Sequence, residues 1–578
     1  MPNPAIITSP WPEVELTERS VWEHVWSNPN NVQDSAVAII DGPSGRTMSR
    51  GELRTTAQKI AYGFRHKLKL PAGAVICVFS PNSSWYHMLV MAVQCSGNVV
   101  SGANAAYTDT EMAHQLSDSG SAMILCHPQV LEVALAATTL LGWTKKQQRT
   151  SIVLAVPKDE AGPAGDLFIA FDQLITSNIL PPHKISAKDA HSTVAFLGFS
   201  SGTSGKAKGV RTSHYNMTSV LSMLSPFDVS PADTQLVILP LNHIYGLTKA
   251  LLWPLRIGTP VVILPKFDLV PFCALVQKYR ATVCLLVPPI ALLLAREPVV
   301  DEYDLSSLRL VLSGAAPLGK ELETELSKRI GTQVTQAYGL TEASPTTHYC
   351  PLNRPTPGSI GPLLPMMRGR ICDPETGKDV APGEEGEMLL QGPNVMLGYL
   401  NRPESNAETL ITDEDGVWLK TGDIAFCDAQ GYWFITDRLK ELIKYKGFQV
   451  APAELESTLL ECPYVADAAV IGVWQEDQAT ELPRAYGTFP VSLSNAHQLT
   501  PAFQFKVVLS AEGKKQKDGP AAVRAFVDGR VAAHKKLRGG VRIVDTIPKS
   551  PSGKLLRKIL REEAKAEAQV ATPARAKL

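Results

Sequence analysis

Short apolar segments alternate with helix-like segments along most of the chain, from about residue 50 to residue 470. The apolar segments are rich in Val, Ile, Leu and Cys and are bounded by polar or turn-forming residues, which predicts buried strands. Segments with helical periodicity, such as 84–95, lie between them. This alternation predicts an α/β fold with mostly parallel sheets. The predicted strands are 74–79, 122–126, 193–199, 236–239, 261–264, 282–287 and 308–312.

The pattern changes after about residue 360, where turn-rich segments such as 383–387 predict a small β-rich subdomain. A strongly charged stretch over 437–446 follows, and the alternation then resumes on a smaller scale. We therefore place a domain boundary near Lys440, which gives a large N-terminal domain over 1–439 and a small α+β domain over 440–578. Residues 492–520 are predicted to form an insertion or a long surface loop.

Size and composition restrict the class of protein. The chain has 578 residues, and about 150 residues per domain predicts about four structural units. Its 56 basic and 56 acidic residues balance, so net charge gives no support for binding to nucleic acid or membranes. Nine scattered cysteines without a C-x-x-C pair indicate reduced, buried thiols in an intracellular protein. No signal peptide is visible, and the longest apolar stretch, 281–295, is broken by Pro288-Pro289 and predicts a strand, a turn and a helix.

The segment 200–209 follows the predicted strand 193–199 and combines three glycines, four hydroxyl-bearing residues and two lysines. Backbone N–H groups of such a loop converge on one anion, and the lysines add positive charge, so the loop is a candidate polyphosphate site. It is not a Walker A motif, since Ala207 follows Lys206 where that motif has Ser or Thr. A flexible surface loop is the alternative interpretation.

Four further motifs occur in order behind this loop: 338–342 (YGLTE), 420–423 (KTGD), 437–447 (DRLKELIKYKG) and 548–554 (PKSPSGK). Together the five segments resemble the adenylate-forming superfamily of acyl-CoA synthetases, luciferases and peptide-synthetase adenylation domains. The branch most similar to this chain contains the 4-coumarate–CoA and fatty-acyl–CoA ligases. The resemblance covers nearly the whole chain and implies a large N-terminal domain of stacked α/β sheets with a mobile C-terminal domain that turns at Lys440.

The resemblance also implies the role of each residue. Glu342 would hold Mg²⁺, and Lys554 would bridge the reacting carboxylate and phosphate. Lys444 is a further catalytic residue, and CoA contacts would fall on Lys266, Lys446 and Gly447. ATP and AMP contacts would fall on Ser200, Ser201, Gly202, Thr203, Ser204, Gly205, Lys208, Gln336, Ala337, Tyr338, Thr341, Asp423, Arg438, Lys440 and Gln449.

These roles have simpler alternatives on local grounds. Asp423 is also a plausible turn residue after a glycine, and Glu342 a helix N-terminal carboxylate. The lysines of 437–446 and Lys554 are residue types that usually lie on a solvated face. The ordered set of motifs favours the functional interpretation.

The acyl pocket is implied to contain Tyr245, Lys249, Leu312, Ala315, Ala337 and Pro345. His243, near the CoA tunnel, is implied to be a further catalytic residue, although a lone histidine after a strand is most often structural. Hydroxycinnamate ligases usually have Gly at the position of Ala337, Lys at that of Leu312 and a small polar residue at that of Lys249. The added methyl group of Ala337 would narrow the slot for a flat ring. Lys249 would either pair with a polar or anionic tail of the substrate or extend towards solvent.

We therefore expect an ATP-dependent carboxylate–CoA ligase with Mg²⁺, acting on an aryl, arylalkanoic or medium-chain acid. The alternatives are a ligase that loads a carrier protein or oxidises its adenylate as luciferases do, and an inactive acyl or nucleotide sensor. Nucleic-acid partners and membrane-spanning segments are not expected. The final Ala576-Lys577-Leu578 resembles a peroxisomal address read by an import receptor, which predicts a peroxisomal location in a eukaryote and a cytoplasmic one otherwise.

Overall fold

The computed structural model describes residues 5–200, 207–445, 448–462, 465–475, 480–488, 519–549 and 555–571. Among them the helices are α1 (Val21–Val25), α2 (Arg50–Tyr62), α3 (Tyr86–Cys95), α4 (Asp109–Ser119), α5 (Leu131–Leu140), α6 (Lys145–Ser151), α7 (Ala187–Ser192), α8 (His214–Met223), α9 (Ile244–Gly246), α10 (Trp253–Ile257), α11 (Leu269–Tyr279), α12 (Pro288–Arg296), α13 (Lys320–Ile330), α14 (Pro403–Thr409), α15 (Pro452–Leu460), α16 (Gly519–Asp528) and α17 (Arg557–Ala571).

The strands of the same residues are β1 (Ile7–Thr8), β2 (Val37–Asp41), β3 (Thr47–Ser49), β4 (Val75–Phe79), β5 (Val99–Ala103), β6 (Met123–Cys126), β7 (Ile152–Leu154), β8 (Ile169–Ala170), β9 (Val194–Ser200), β10 (Lys208–Ser213), β11 (Gln235–Val237), β12 (Val261–Ile263), β13 (Val283–Leu286), β14 (Leu310–Ser313), β15 (Val334–Gly339), β16 (Thr346–Tyr349), β17 (Arg368–Cys372), β18 (Gly386–Gln391), β19 (Leu410–Asp413), β20 (Gly416–Cys427), β21 (Trp433–Arg438), β22 (Ile443–Tyr445), β23 (Phe448–Val450), β24 (Asp467–Gln475), β25 (Thr480–Thr488) and β26 (Val541–Ile543).

The predicted α/β fold is confirmed. The seven predicted strands are β4, β6, β9, β11, β12, β13 and β14, with ends shifted by one or two residues. The predicted helix over 84–95 is α3. The expected turn at Pro288-Pro289 is absent, because α12 begins directly at Pro288. The fixed φ of proline suits the first turn of a helix, where an N–H group is not needed.

The chain divides into two compact units, of which the first comprises residues 1–370, 389–421 and 428–433. Its seven-stranded sheet has the order β10-β9-β5-β4-β6-β7-β8 and is parallel except for the antiparallel edge pair β9–β10. The side chains of β4 and β6 pack with α4 and α5 in one apolar core. The apolar runs of these strands are thus explained by burial within a parallel sheet.

The first unit also contains an eight-stranded sheet with the order β16-β15-β14-β13-β11-β12-β2-β3. Its six central strands are parallel, and antiparallel pairs close both edges. One face packs against α11, α12 and α13 in a continuous apolar core. Alternate residues point to opposite faces of a strand, so Leu285 and Leu312, absent from this core, belong to the other face.

A helical run from Ile244 to Ile257 contains an unusual central turn. It begins as α9, continues as a π-helical segment over Leu247–Leu252 and ends as α10 at Gly258, whose φ of 85° is left-handed. All six residues of the π-helical segment are buried. Two neighbouring side chains bond its backbone carbonyls, Gln235 that of Lys249 at 3.1 Å and His87 that of Ala250 at 3.0 Å. These bonds compensate for the altered hydrogen-bond pattern.

The second unit comprises residues 371–388, 422–427 and 434–578. It contains the hairpin β22–β23 and a three-stranded sheet with the order β24-β25-β26. Helices α15 and α16 pack on one side of this sheet, and α17 packs on β24. The predicted boundary at 439/440 stays a prediction, because compactness does not reveal which residue acts as a hinge. The predicted insertion over 492–520 lies, up to residue 518, outside the described residues.

All nine cysteines are buried thiols that form no disulfide bond, as the sequence predicted. In the part of the chain that the structure describes, helices that could cross a membrane are not found.

A buried ionic cluster lies inside the second unit. The Arg557 guanidinium, 11% exposed, forms two bonds with Glu456, of which the shorter is 2.7 Å, and one with Glu441. Asp437 is also buried and contributes negative charge nearby. Burial raises the pKa of Glu456 to about 7 and that of Asp437 to about 6. One cation therefore compensates three carboxyl groups, and the cluster joins residues 437–441 to α17, which begins three residues after Lys554.

Replacement of Arg557 by Leu should destabilise the second unit by about 3 kcal/mol at pH 8, because it leaves buried carboxylates without their cation. The loss should be smaller at pH 6, where the raised pKa values of Glu456 and Asp437 allow these two carboxyl groups to become protonated. Hydrogen exchange of the β24 and β25 amides measures the change. The matched variant Lys558→Leu removes a charge that is 71% exposed on the same helix and should change stability by less than about 0.5 kcal/mol. Equal exchange in the two variants would contradict this role of Arg557.

Candidate active site for nucleotide and carboxylate

The ends of the predicted phosphate loop are held in fixed register. Ser200 ends β9, Lys208 begins β10, and the two residues are antiparallel partners. Ser201, Gly202, Thr203, Ser204 and Gly205 lie outside the described residues. The Lys208 ammonium donates to Ser405 Oγ at 2.9 Å and lies 5.0 Å from the ring centroid of Tyr399. Because Ser200 ends a strand of a parallel sheet, the loop leaves the carboxyl edge, where α/β proteins bind ligands.

Glu342 joins the loop to two other segments of the first unit. Its Oε1 accepts hydrogen bonds from Ser200 Oγ at 3.0 Å and from Tyr399 Oη at 2.8 Å. Glu342 lies in a short 3₁₀ turn, Thr341–Ala343, that follows β15. Backbone bonds fix this turn, since Met396 N donates to the Glu342 carbonyl at 2.8 Å. The carboxylate is thus held at the carboxyl edge of the second large sheet.

The strand that leads into the loop approaches this turn closely. A Cβ atom on Gly198 would lie 3.0 Å from Thr341 Cγ2, closer than most side-chain contacts allow. Asn394 holds the turn from the other side, donating to the carbonyls of Ala343 at 2.6 Å and Thr346 at 3.0 Å. The predicted phosphate residues Ser200 and Thr341 are therefore brought together.

The donor set fits a magnesium ion delivered with a nucleotide. Glu342 uses Oε1 for both hydrogen bonds, and its Oε2 accepts none from the described residues. The same residues contain no group of three His, Cys, Asp or Glu side chains that could hold a metal unaided. Mg²⁺ is commonly bound by one or two carboxylates together with substrate phosphates. Glu342 thus offers one hard oxygen ligand and leaves the others to phosphate and water.

A second group of predicted residues lies in the second unit. Asp423, in β20, is 3% exposed, and its Oδ1 lies 3.0 Å from Nε of Arg438. The strands bearing this pair are linked by Leu439 N, which donates to the Gly422 carbonyl at 2.8 Å. A carboxylate with two oxygens can accept from both hydroxyls of a ribose while an arginine orients it. Lys440 follows and is exposed.

The predicted acyl-pocket residues surround the end of β14. Tyr245 is buried, and its Oη donates to the Leu312 carbonyl at 3.4 Å. A Cβ atom on Gly314 would lie 3.1 Å from the Tyr245 ring, so the ring packs directly on the loop after β14. Ala315, in the same loop, has a φ of 69°, a left-handed conformation that is uncommon for residues other than glycine. His243 caps α9, and its Nδ1 accepts from Tyr245 N at 3.3 Å.

Lys249 is the most unusual of these residues. Its side chain is 1% exposed, and its Nζ lies 4.3 Å from the ring centroid of Phe227 and 5.3 Å from that of Tyr245. Burial lowers the pKa of the Lys249 ammonium well below its usual range. The expected alternative, an ammonium that extends to solvent, is therefore wrong.

The remaining predicted nucleotide, acyl and CoA residues have fewer contacts that indicate a role. Ala337 and Tyr338 are half-buried at the end of β15, and Pro345 is buried. Gln336 points away from them: its amide donates to Glu323 at 2.7 Å and accepts from Leu318 N at 3.0 Å. Lys266 is exposed. Lys444 and Gln449 are backbone partners in the β22–β23 hairpin, whereas Lys446, Gly447 and Lys554 lie outside the described residues.

Sequence reasoning missed three residues that complete the site. Tyr399 bonds Glu342, Ser405 bonds Lys208, and Phe227 packs on Lys249. The tyrosine follows a glycine in the 398–400 segment, which is a weak signal by itself. Only the folded chain shows that it reaches a carboxylate 57 positions away.

Comparison with known proteins agrees with this geometry. Residues 26–400 match the model of the family described as AMP-binding enzyme. The chain is 36% identical over 575 residues to "Probable 4-coumarate--CoA ligase 1" of Dictyostelium discoideum, covering 96% of this chain and 97% of that protein. It is also 36% identical over 544 residues to 4-coumarate-CoA ligase 1 of Narcissus pseudonarcissus, covering 92% of this chain and 91% of that protein.

A solved structure shares the fold over nearly the whole chain. The crystal structure of ATP-bound MatB from Rhodopseudomonas palustris superposes with a TM-score of 0.79 at 26% identity and covers 94% of this chain and 99% of that one. The fold and the loop–carboxylate junction thus define an enzyme that binds ATP and activates a substrate through AMP. The chain belongs to the family of AMP-binding enzymes.

Replacement of Tyr399 by Phe should lower kcat/KM for ATP about tenfold, because it removes a charge-assisted hydrogen bond that orients the Glu342 carboxylate. Steady-state assays at saturating acid measure the effect. Tyr432→Phe is the matched control, since its hydroxyl donates to the Arg354 carbonyl at 2.9 Å without touching Glu342. Equal activity in the two variants would show that Tyr399 does not position Glu342.

Proposed function

We propose that this protein is an ATP-dependent carboxylate–CoA ligase that forms AMP. The observation that carries the proposal is the Glu342 junction, which anchors both the end of the phosphate loop and the turn after β15. Membership of the AMP-binding enzymes and 36% identity to proteins named as 4-coumarate–CoA ligases support it. The reaction is then an acyl transfer in two steps, with an acyl-adenylate between them.

In the first step a carboxylate oxygen of the acid attacks the α-phosphorus of ATP, and pyrophosphate leaves. The carboxylate is ionised at neutral pH, so no general base is required. The protein instead aligns two anions and compensates phosphoryl charge. The loop over 200–205 and Lys208 would hold the β- and γ-phosphates, Thr341 the α-phosphate and Asp423 the ribose. A magnesium ion bound with ATP would supply positive charge beside Glu342.

Lys554 would complete the first step with an ammonium between the reacting carboxylate and phosphate. In the second step the CoA thiolate attacks the carbonyl carbon of the adenylate, the C–O bond breaks, and AMP leaves with that oxygen. The C-terminal domain would turn at Lys440 between the steps. Lys444 and Gln449 would serve the adenylate and the thioester steps. Lys266, Lys446 and Gly447 would contact CoA.

The acid is proposed to be aryl, arylalkanoic or medium-chain. The pocket wall of Tyr245, Leu312 and Ala337 is apolar or aromatic, which suits the body of such acids. The Ala337 methyl group occupies space on the face that would meet a flat ring. A ring with bulky substituents is therefore less suited than a slender chain or a simple aryl acid.

Release of AMP with a set of acids, with and without CoA, tests the proposal. We expect AMP and acyl-CoA to form together, and Lys554→Ala to lower adenylate formation at least 100-fold because the cation between two anions is lost. Formation of adenylate without thioester would indicate that the protein loads a carrier protein or oxidises its adenylate as luciferases do. A protein that binds ATP and releases no AMP with any acid would instead be a sensor.

We further propose that Ala576-Lys577-Leu578 directs the protein to peroxisomes if its source is eukaryotic, by contact with an import receptor. The three residues lie outside the described residues, and the proposal rests on their sequence alone. A fluorescent protein fused before residue 1 should be punctate in cells, and removal of the three residues should make it diffuse. Punctate fluorescence in the truncated protein would contradict this role.

A further inference from the structure

Lys249 is a buried basic side chain without a charge partner among the described residues. Within the part of the chain that the structure describes, its ammonium has neither a carboxylate nor another hydrogen-bond acceptor, and desolvation is the only influence on its charge. A lysine at 1% exposure is strongly disfavoured unless it is paired. The pocket therefore contains a basic side chain that is costly to bury and has no anionic partner among its described neighbours.

Two aromatic rings partly offset the burial that disfavours the charged form of this lysine. The Phe227 and Tyr245 rings lie 4.3 Å and 5.3 Å from Nζ, within the range of cation–π attraction. Phe227 in turn stacks on Tyr349 with 4.0 Å between ring centroids. Aromatic faces stabilise a cation but cannot neutralise it, so an anion brought by a ligand would still gain an unscreened partner.

The position of Lys249 places it along the acyl pocket. Tyr349 is the antiparallel partner of Ala337, so both side chains share one face of the β15–β16 pair. Side-chain contacts therefore run along the wall of the predicted pocket, from Ala337 through Tyr349 and Phe227 to Lys249. Tyr245 closes the other side through its bond to the Leu312 carbonyl.

Lys249 also lies deep relative to the adenylation residues. Its backbone carbonyl is bonded by Gln235, the first residue of β11, whereas Thr341 follows the carboxyl end of β15. In a parallel sheet these two ends lie on opposite edges, and a strand of six residues such as β15 spans roughly 20 Å at about 3.3 Å per residue. The reacting carboxylate binds beside Thr341, so Lys249 faces the far end of the substrate.

A further polar atom in this region has no partner. Gln235 Oε1 is buried and accepts no hydrogen bond from the described residues, although its amide nitrogen is used. Buried polar atoms are normally satisfied. An unsatisfied polar atom, Gln235 Oε1, thus belongs to the side chain that bonds the backbone of Lys249.

We propose that Lys249 selects acids with a second carboxylate at the end remote from the one that is activated. This inference rests on the proposed function and specifies its substrate class. The remote carboxylate would accept hydrogen bonds from the Lys249 ammonium, and the apolar chain between the two carboxylates would lie against Tyr245, Leu312 and Ala337. No covalent step involves Lys249, which acts in binding alone.

The test compares α,ω-dicarboxylic acids of six, eight and ten carbons with their monomethyl esters, which have the same chain but lack the second charge. For at least one length, kcat/KM for the diacid should exceed that for the ester at least tenfold. In Lys249→Met, which preserves side-chain length and apolar volume, the preference should vanish or reverse. Octanoate, which lacks the second charge, is assayed alongside, and the ratio of diacid to octanoate activity should fall at least tenfold in the variant.

The outcomes separate the possible roles. If the ratio of kcat/KM for the diacid to that for the ester is unchanged in Lys249→Met, or if the parent enzyme shows no preference, Lys249 does not select a second carboxylate. Activity with a monoacid would in that case leave the proposed function intact. Absence of AMP release with every acid would overturn the proposed function itself.

Thermal stability provides the structural readout: Lys249→Met should be as stable as the parent or more so, because a buried basic group without a charge partner is removed. A variant that loses stability and retains diacid preference would assign Lys249 a packing role.

Discussion

The Glu342 carboxylate is the point at which three distant segments of the first unit meet. Ser200 and Tyr399 both donate to one oxygen of the Glu342 carboxylate. Ser200 ends β9, and Glu342 lies in the turn that follows β15. The two large sheets meet here through their carboxyl edges, since β9 belongs to one and β15 to the other. Glu342 therefore fixes the end of β9 relative to the turn that follows β15.

Much of the fold could be predicted from the sequence because buried strands carry a local signal. Apolar runs such as 74–79 and 282–287 became β4 and β13 with small shifts at their ends. The motif residues Ser200, Thr341 and Glu342 could also be predicted, since their types and order are distinctive. Tyr399 could not, because its role depends on a contact across 57 positions that no local pattern encodes.

The π-helical segment illustrates another limit of sequence patterns. Its residues are buried on all sides, so periodicity does not separate a π turn from an α turn. What distinguishes it is the bonding of its carbonyls by Gln235 and His87, two residues far apart in the chain. The burial of Lys249 follows from this arrangement and was not predictable from residue type, since lysine is normally exposed.

The π turn has a consequence for how this pocket can change. A π-helical turn contains one residue more than the α turn it replaces, so a single-residue deletion within 247–252 would restore a regular helix. Each residue of an α-helix is rotated by about 100° from its neighbour. Such a deletion would leave α9 and α10 in place and shift the side chains within the turn by one position, so that a different side chain faces the pocket wall. Related enzymes could therefore alter which group lines the pocket by gaining or losing one codon, with the surrounding sheets unchanged.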